Sequence, residues 1–138
     1  MLRVSKSYIR DLAFEVIGCS IEVHRELGPG LLESVYEHCL KYELSKRGIT
    51  FLSQQRIPLR YKDLDLEADL RYDLLVEGCL LVELKSCEGI IPIHEAVLLT
   101  YMKLLEIPKG LILNFNTTNL SRHGLISLVN EHYSELSP

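Results

Sequence analysis

The sequence predicts an α/β fold, a mixed sheet flanked by helices, and three observations carry that expectation. Residues 7–47 hold two segments of helical periodicity. Residues 50–78 change to alternation of apolar and polar side chains, and residues 79–86 form a short apolar run that fills both faces. Residues 79–115 then read as strand, helix and strand, which suits a right-handed crossover back into one sheet.

The first helix is expected over Ser7–Leu27, with Ile9, Leu12, Ala13, Val16, Ile17, Ile21 and Val23 on its apolar side and Arg10, Asp11 and Glu15 outside. Ser5 and Ser7 are its candidate caps, and Gly28-Pro29-Gly30 ends it, because proline cannot continue the hydrogen-bond ladder. A second helix is expected from about Leu32 to Arg47, its apolar face made by Leu32, Val35, Tyr36, Cys39, Leu40 and Leu44. Glu33 falls in its first turn, where unpaired backbone N–H groups favour a carboxylate, so a dipole-stabilised surface residue is one reading of it.

Phe51–Tyr61 reads as a strand bent or edged at Pro58, and Lys62-Asp63 as a turn. Leu64, Leu66, Ala68, Leu70, Tyr72 and Leu74 alternate with charged residues, which predicts one long half-exposed strand. Cys79–Ser86 is the central strand. A helix follows from Pro92 to about Glu106, a buried strand over Gly110–Phe115, a polar loop over Asn114–Ser121 and a short strand over Gly124–Val129. No pattern specifies the tail beyond Asn130.

Composition narrows the class. A chain of 138 residues with 47% hydrophobic and 25% charged side chains is expected to form a single domain, residues 1–138. No apolar run approaches the roughly 20 residues that cross a bilayer, so no membrane association is expected. The opening Met-Leu-Arg-Val-Ser-Lys-Ser-Tyr lacks the apolar core of a signal peptide. Cys19, Cys39, Cys79 and Cys87 show no Cys-x-x-Cys spacing, which fits reduced thiols and a cytoplasmic location. A formal net charge of −4 argues against strong non-specific nucleic-acid binding but leaves room for a local basic patch. Homo-oligomerisation is left open.

The central strand carries the chemistry. Glu83 and Lys85 are two apart and share one face. Burying both charges is costly unless they pair with each other, hold a metal or line a cleft. Whether Asp73 joins them depends on the hairpin turn. A two-residue loop of Glu77-Gly78 sets Asp73 opposite Val82, on the face away from Glu83. A three-residue loop with Gly78 in the left-handed region pairs Leu75 with Cys79 and puts Asp73 opposite Leu81, diagonal to Glu83. The glycine favours the second register. Two carboxylates on adjacent strands suit Mg²⁺, which prefers hard oxygen ligands, and a lysine beside them suits charge building on a phosphodiester.

Gly30-Leu-Leu-Glu33-Ser-Val-Tyr36 resembles the Gly-x-x-Glu-x-x-Tyr signature of the GxxExxY proteins, a branch of the PD-(D/E)xK nuclease-like superfamily. The resemblance extends from Val23-His-Arg-Glu-Leu-Gly-Pro-Gly through Arg71-Tyr-Asp73, Val82-Glu83-Leu-Lys85 and Gly110-Leu-Ile-Leu-Asn-Phe115. It implies a restriction-endonuclease-like αβββαβ core with an additional N-terminal helix. It further implies that Asp73, Glu83 and Lys85 occupy catalytic positions, with Glu33 looking into the same site as another acidic metal ligand. Mg²⁺ or Mn²⁺ is the implied cofactor, nucleic acid the implied partner, and Tyr36 and Tyr101 are candidate substrate contacts. The chain departs from the pattern at Val97, one turn before Tyr101, where such proteins often carry glutamine. His24 reads either as a metal ligand or as a helix-end residue bonded to nearby carbonyls. Two functions follow: a metal-dependent nuclease or related phosphodiesterase, or a non-catalytic module of the same fold that binds a protein or nucleic-acid partner.

Overall fold

A computed structural model describes residues 4–138; Met1–Arg3, the start of the stretch examined for a signal peptide, lie outside the described residues. The first helix, α1, spans Lys6–Leu27, and the Ser5 side chain accepts from the Tyr8 N–H at 3.1 Å. Helix α2 spans Glu33–Lys46. The strands are β1 (Phe51–Ser53), β2 (Leu59–Tyr61), β3 (Leu64–Leu66), β4 (Leu74–Val76), β5 (Leu80–Lys85), β6 (Lys109–Asn114) and β7 (Leu125–Val129). Helix α3 (Pro92–Leu105) crosses from β5 to β6, a π turn covers Leu120–Gly124, and a short helix, α4 (Glu131–Ser134), closes the chain.

Five strands form one sheet in the order β1-β4-β5-β6-β7. Among the described residues only β5 and β6 run parallel, so the sheet is mixed, and helices cover both faces. Leu74, Val76, Leu80, Val82, Leu84, Leu111 and Leu113 pack against α1 and α2. On the other face Leu81 and Ile112 pack against Leu98 and Met102 of α3. Each fully buried aliphatic side chain here contributes about 1.5–3 kcal/mol relative to exposure. Gly110 is required by that second layer: a Cβ there would meet Met102 Sδ at 2.8 Å and Leu98 Cδ1 at 2.9 Å.

The ribbon of residues 51–76 differs from the two continuous strands expected. Phe51–Tyr61 divides into β1 and β2, and Leu64–Leu74 into β3 and β4, with one isolated Arg56–Arg71 bridge between. Gln54 breaks the first strand by adopting φ 53°, and Pro58 has no N–H to donate. The tip, β2–β3, turns at Lys62-Asp63 as expected but forms its own two-stranded sheet. Leu64 and Leu66 are exposed there, because the apolar side of the alternation finds no layer to cover it.

The turn between β4 and β5 agrees with expectation in one respect and corrects it in another. Gly78 has φ 67°, in the left-handed region. The ladder, however, pairs Leu75 with Leu81, not with Cys79. Glu77 also takes positive φ, and the Cys79 N–H donates to the Val76 carbonyl at 3.1 Å, so Cys79 is the extra residue of a bulge. This register sets Val76 opposite Leu80, an apolar pair on the buried face, where the expected one would oppose it to Gly78. Both registers preserve parity.

Candidate active site

The site forms where β4 begins and β5 ends, at the seam between α2 on one face and α3 on the other. Asp73 immediately precedes β4. Continuing the β4–β5 ladder one pair beyond Leu74–Val82 brings Asp73 level with Glu83. Glu83 Oε1 accepts from the Asp73 backbone N–H at 3.3 Å, and Asp73 Oδ2 accepts from the Leu84 N–H at 2.8 Å. Each carboxylate therefore uses an amide of the other's strand, which fixes both without a cation.

Burial first, and the neighbouring Asp73 carboxylate second, push the Glu83 carboxyl up to about 9. A hydrogen bond between the two side chains also favours the protonated form. At neutral pH a proton thus supplies the positive charge that this pair lacks. Lys85 shares the parity of Glu83 on β5 and is half-buried, but among the described residues it makes no ion pair with Glu83 or Asp73. The internal Glu83–Lys85 pair is not formed.

A second acidic pair approaches from α2. Glu33, the first residue of that helix, is exposed and accepts from the Ser86 N–H at 3.3 Å, while Ser86 Oγ donates to the Leu31 carbonyl at 2.6 Å. Glu33, Ser34, Glu37, Gln54, Asp73 and Leu84 line a cleft of about 450 Å³. Gln54 is its tie: Nε2 donates to Glu37 Oε1 at 2.7 Å and to Asp73 Oδ1 at 3.1 Å. Its backbone N–H donates to the Asp73 carbonyl at 3.0 Å, which helps to hold the left-handed conformation at that position. Burial raises the Glu37 carboxyl, the Gln54 bond opposes that rise, and the Asp73 charge adds to it.

Glu37 and Gln54 were not among the residues expected at the site. Glu37 follows Glu33 by four residues, so the helical period alone puts both on one face. Gln54 carries no such signal, because its place depends on a break in the strand.

The two tyrosines differ. Tyr101 on α3 is partly buried, and burial followed by the charges of Glu83 and Asp73 raises its hydroxyl pKa. Tyr36 is fully buried, stacked on Phe115 with ring centroids 4.4 Å apart. Its hydroxyl donates to the Gly28 carbonyl at 2.6 Å and accepts from the Leu31 N–H at 3.1 Å. That geometry clamps the Gly28–Leu31 turn and so aims the start of α2 at the cleft. His24 Nε2 donates to the Thr117 carbonyl at 2.7 Å, the carbonyl-bonded alternative of its two readings. The buried Asn114 amide binds both the N–H and the carbonyl of Cys87, which fixes the chain leaving β5.

The donor set suits a hard divalent cation. Two neighbouring carboxylates, one of them pushed up to about 9 by burial and by the charge of the other, match the way Mg²⁺ is held by one or two carboxylates and several waters. Among the described residues no three Asp, Glu, His or Cys side chains gather as a ready-made metal cage. No helix of the described residues is long and apolar enough to cross a membrane.

Neither a search of curated proteins nor one of solved structures gives a significant match. The family model of the PD-(D/E)XK nuclease superfamily matches residues 10–125, from the second turn of α1 to the first residue of β7. With a mixed sheet, a carboxylate at the start of β4 and Glu-x-Lys at the end of β5 all inside that span, the chain belongs to the PD-(D/E)XK nuclease superfamily.

Proposed function

We propose that this protein is a Mg²⁺- or Mn²⁺-dependent phosphodiesterase of the GxxExxY branch that cleaves DNA or RNA, acting as a single domain in the cytoplasm. One observation carries the reading: the Asp73 and Glu83 carboxylates each bond to an amide of the other's strand, burial and the Asp73 charge push Glu83 up to about 9, and Lys85 stands on the same strand face with no ion pair among the described residues.

Asp73 and Glu83 would hold the metal; Glu33, at the cleft edge and bonded to the Ser86 N–H, does not gather with them and would join as the further acidic ligand only when the ion is bound. Such an ion supplies a water of lowered pKa and neutralises charge on the phosphate. The Leu84 N–H and the Gln54 amide fix Asp73, so the geometry exists before substrate arrives. Lys85 stabilises negative charge that grows on the phosphoryl oxygens. Tyr101, whose hydroxyl feels the charges of the same carboxylates, would contact substrate. The four cysteines are free thiols, which fits a reducing compartment.

Val97, one turn before Tyr101 and 39% exposed, favours the second reading of a binding module without catalysis, since a polar side chain is lacking beside the site. Titration with Mg²⁺ and Mn²⁺ under thermal melting, together with cleavage assays on single- and double-stranded DNA and RNA, decides between them. The enzyme reading expects stabilisation by the metal and cleavage that Glu83→Gln abolishes. No stabilisation at millimolar metal and no cleavage across the panel would overturn it in favour of the module.

A further inference from the structure

None of the residues lining the candidate active-site cleft is basic, which leaves open how a chain of net charge −4 holds a polyanion. The cations gather elsewhere. Lys6, Arg10 and Phe14 follow one another at four-residue spacing on α1 and so form a stripe along one face. Lys6 Nζ lies 5.6 Å and Lys109 Nζ 5.8 Å from the Tyr133 ring centroid, so that ring joins the stripe to the start of β6. A cleft of about 240 Å³ lies beside it, lined by Arg10, Ala13, Phe14, Ile17, Lys109, Leu111 and Ser127, with no acidic side chain. Phe14 is 75% exposed. Among the described residues Lys6, Arg10 and Lys109 make no ion pair, although acidic residues outnumber basic ones 19 to 15 in this chain.

From this surface we infer a second nucleic-acid contact, which takes a single strand with unpaired bases: a base stacks on Phe14 while Arg10, Lys109 and Lys6 meet the flanking phosphates. The argument is one of complementarity. A cationic rim around an apolar floor fits a ligand that alternates negative charge with flat apolar surface. Stacking on an aromatic side chain accepts any base, but it requires the base to be unpaired. The burial that lowers the Lys109 pKa also strengthens its attraction to an anion in that cleft. Lys109 pairs in register with Leu80, and Asn114 with Lys85, so the patch lies toward the opposite end of β5 and β6 from the candidate active site. Five residues of strand separate the two levels, on the order of 17 Å. The surface would anchor a strand that the proposed nuclease site cuts at a distance, and in this respect it rests on that reading.

The test measures binding of a fluorescent twelve-nucleotide single strand to the full chain in EDTA over a series of salt concentrations. Duplex of the same length and polyglutamate serve as competitors. The wild type is expected to bind the single strand more tightly than either competitor. Three phosphate contacts give a log–log salt slope of about −2. Phe14→Ala should weaken single-strand binding at least tenfold and erase the preference over duplex. The pair Arg10→Gln with Lys109→Gln should flatten the salt slope. All these positions are exposed or half-buried, and melting temperatures check that the variants fold. Cleavage of a dinucleotide, too short to reach the patch, should be unchanged in every variant if the catalytic reading holds. Strand binding without any cleavage leaves the anchor standing and refutes the nuclease. Cleavage with binding indifferent to Phe14, or polyglutamate bound as well as the strand, overturns the anchor.

Discussion

Replacing Glu83 by glutamine separates the cost of the carboxylate pair from its use. In the folded protein Glu83 titrates at about 9, against 4.5 for the unperturbed side chain. The folded state therefore holds a proton across this interval that the unfolded chain releases. The resulting stability is complete below the unfolded pKa and is lost progressively as pH rises toward the folded one. The slope is at most about 1.4 kcal/mol per pH unit for one proton. Raising pH from 5.5 to 8 in EDTA should then cost the wild type up to about 3 kcal/mol, or roughly 10 °C in melting temperature for a domain of this size. Glu83→Gln keeps the shape: its carbonyl can accept from the Asp73 N–H, and its amide can donate to the Asp73 carboxylate. It needs no proton, so its melting temperature should be nearly flat over the same range and should exceed that of the wild type at pH 8. Mg²⁺ should raise the wild-type melting temperature at pH 8, where it replaces the proton, and should leave the variant unmoved. Parallel melting curves for the two proteins between pH 5.5 and 8 would refute the assignment of Glu83 as the proton-bearing member of the pair.

Three further substitutions probe the parts around it. Lys85→Met should abolish cleavage while tightening Mg²⁺ binding in calorimetry, because a positive charge beside the ion is removed; weaker binding would mean that the lysine helps to build the site. Tyr36→Phe keeps the stack on Phe115 but leaves the Gly28 carbonyl and the Leu31 N–H without their partner, a loss of about 1–3 kcal/mol by chemical denaturation, and unchanged stability would contradict the clamp. Gly124→Ala drives a Cβ into the Asn114 carbonyl oxygen and against Thr117, so a loss of about 1–3 kcal/mol or more is expected from denaturant unfolding, whereas a neutral result would show that the π turn yields.

Periodicity fixed the helices and the central strand because those elements satisfy their own pattern. Nineteen of 138 residues are acidic, yet parity along β5 and across the hairpin was enough to put Asp73, Glu83 and Lys85 on one side. The starts of α1 and α3 were legible to within a residue from the Ser5 and Ser7 cap candidates and from Pro92, since caps are local chemistry, and the structure selects Ser5. The same pattern failed at residues 51–76, where alternation promised long strands and the sheet supplied a core only to β1 and β4. An alternating sequence states which side is apolar, but whether anything covers that side is decided by the other layers. The exact hairpin register lay beyond sequence for a related reason: both three-residue registers keep parity, and only the packing of Val76 against Leu80 selects between them. Gln54, tied to Glu37 and Asp73 from a left-handed position, was illegible because its partners lie 17 and 19 residues away on different elements. Tyr36 shows the converse: its place in the motif was visible, but its role as a buried clamp on Gly28 and Leu31 emerges only when Phe115, far along the chain, closes over its ring.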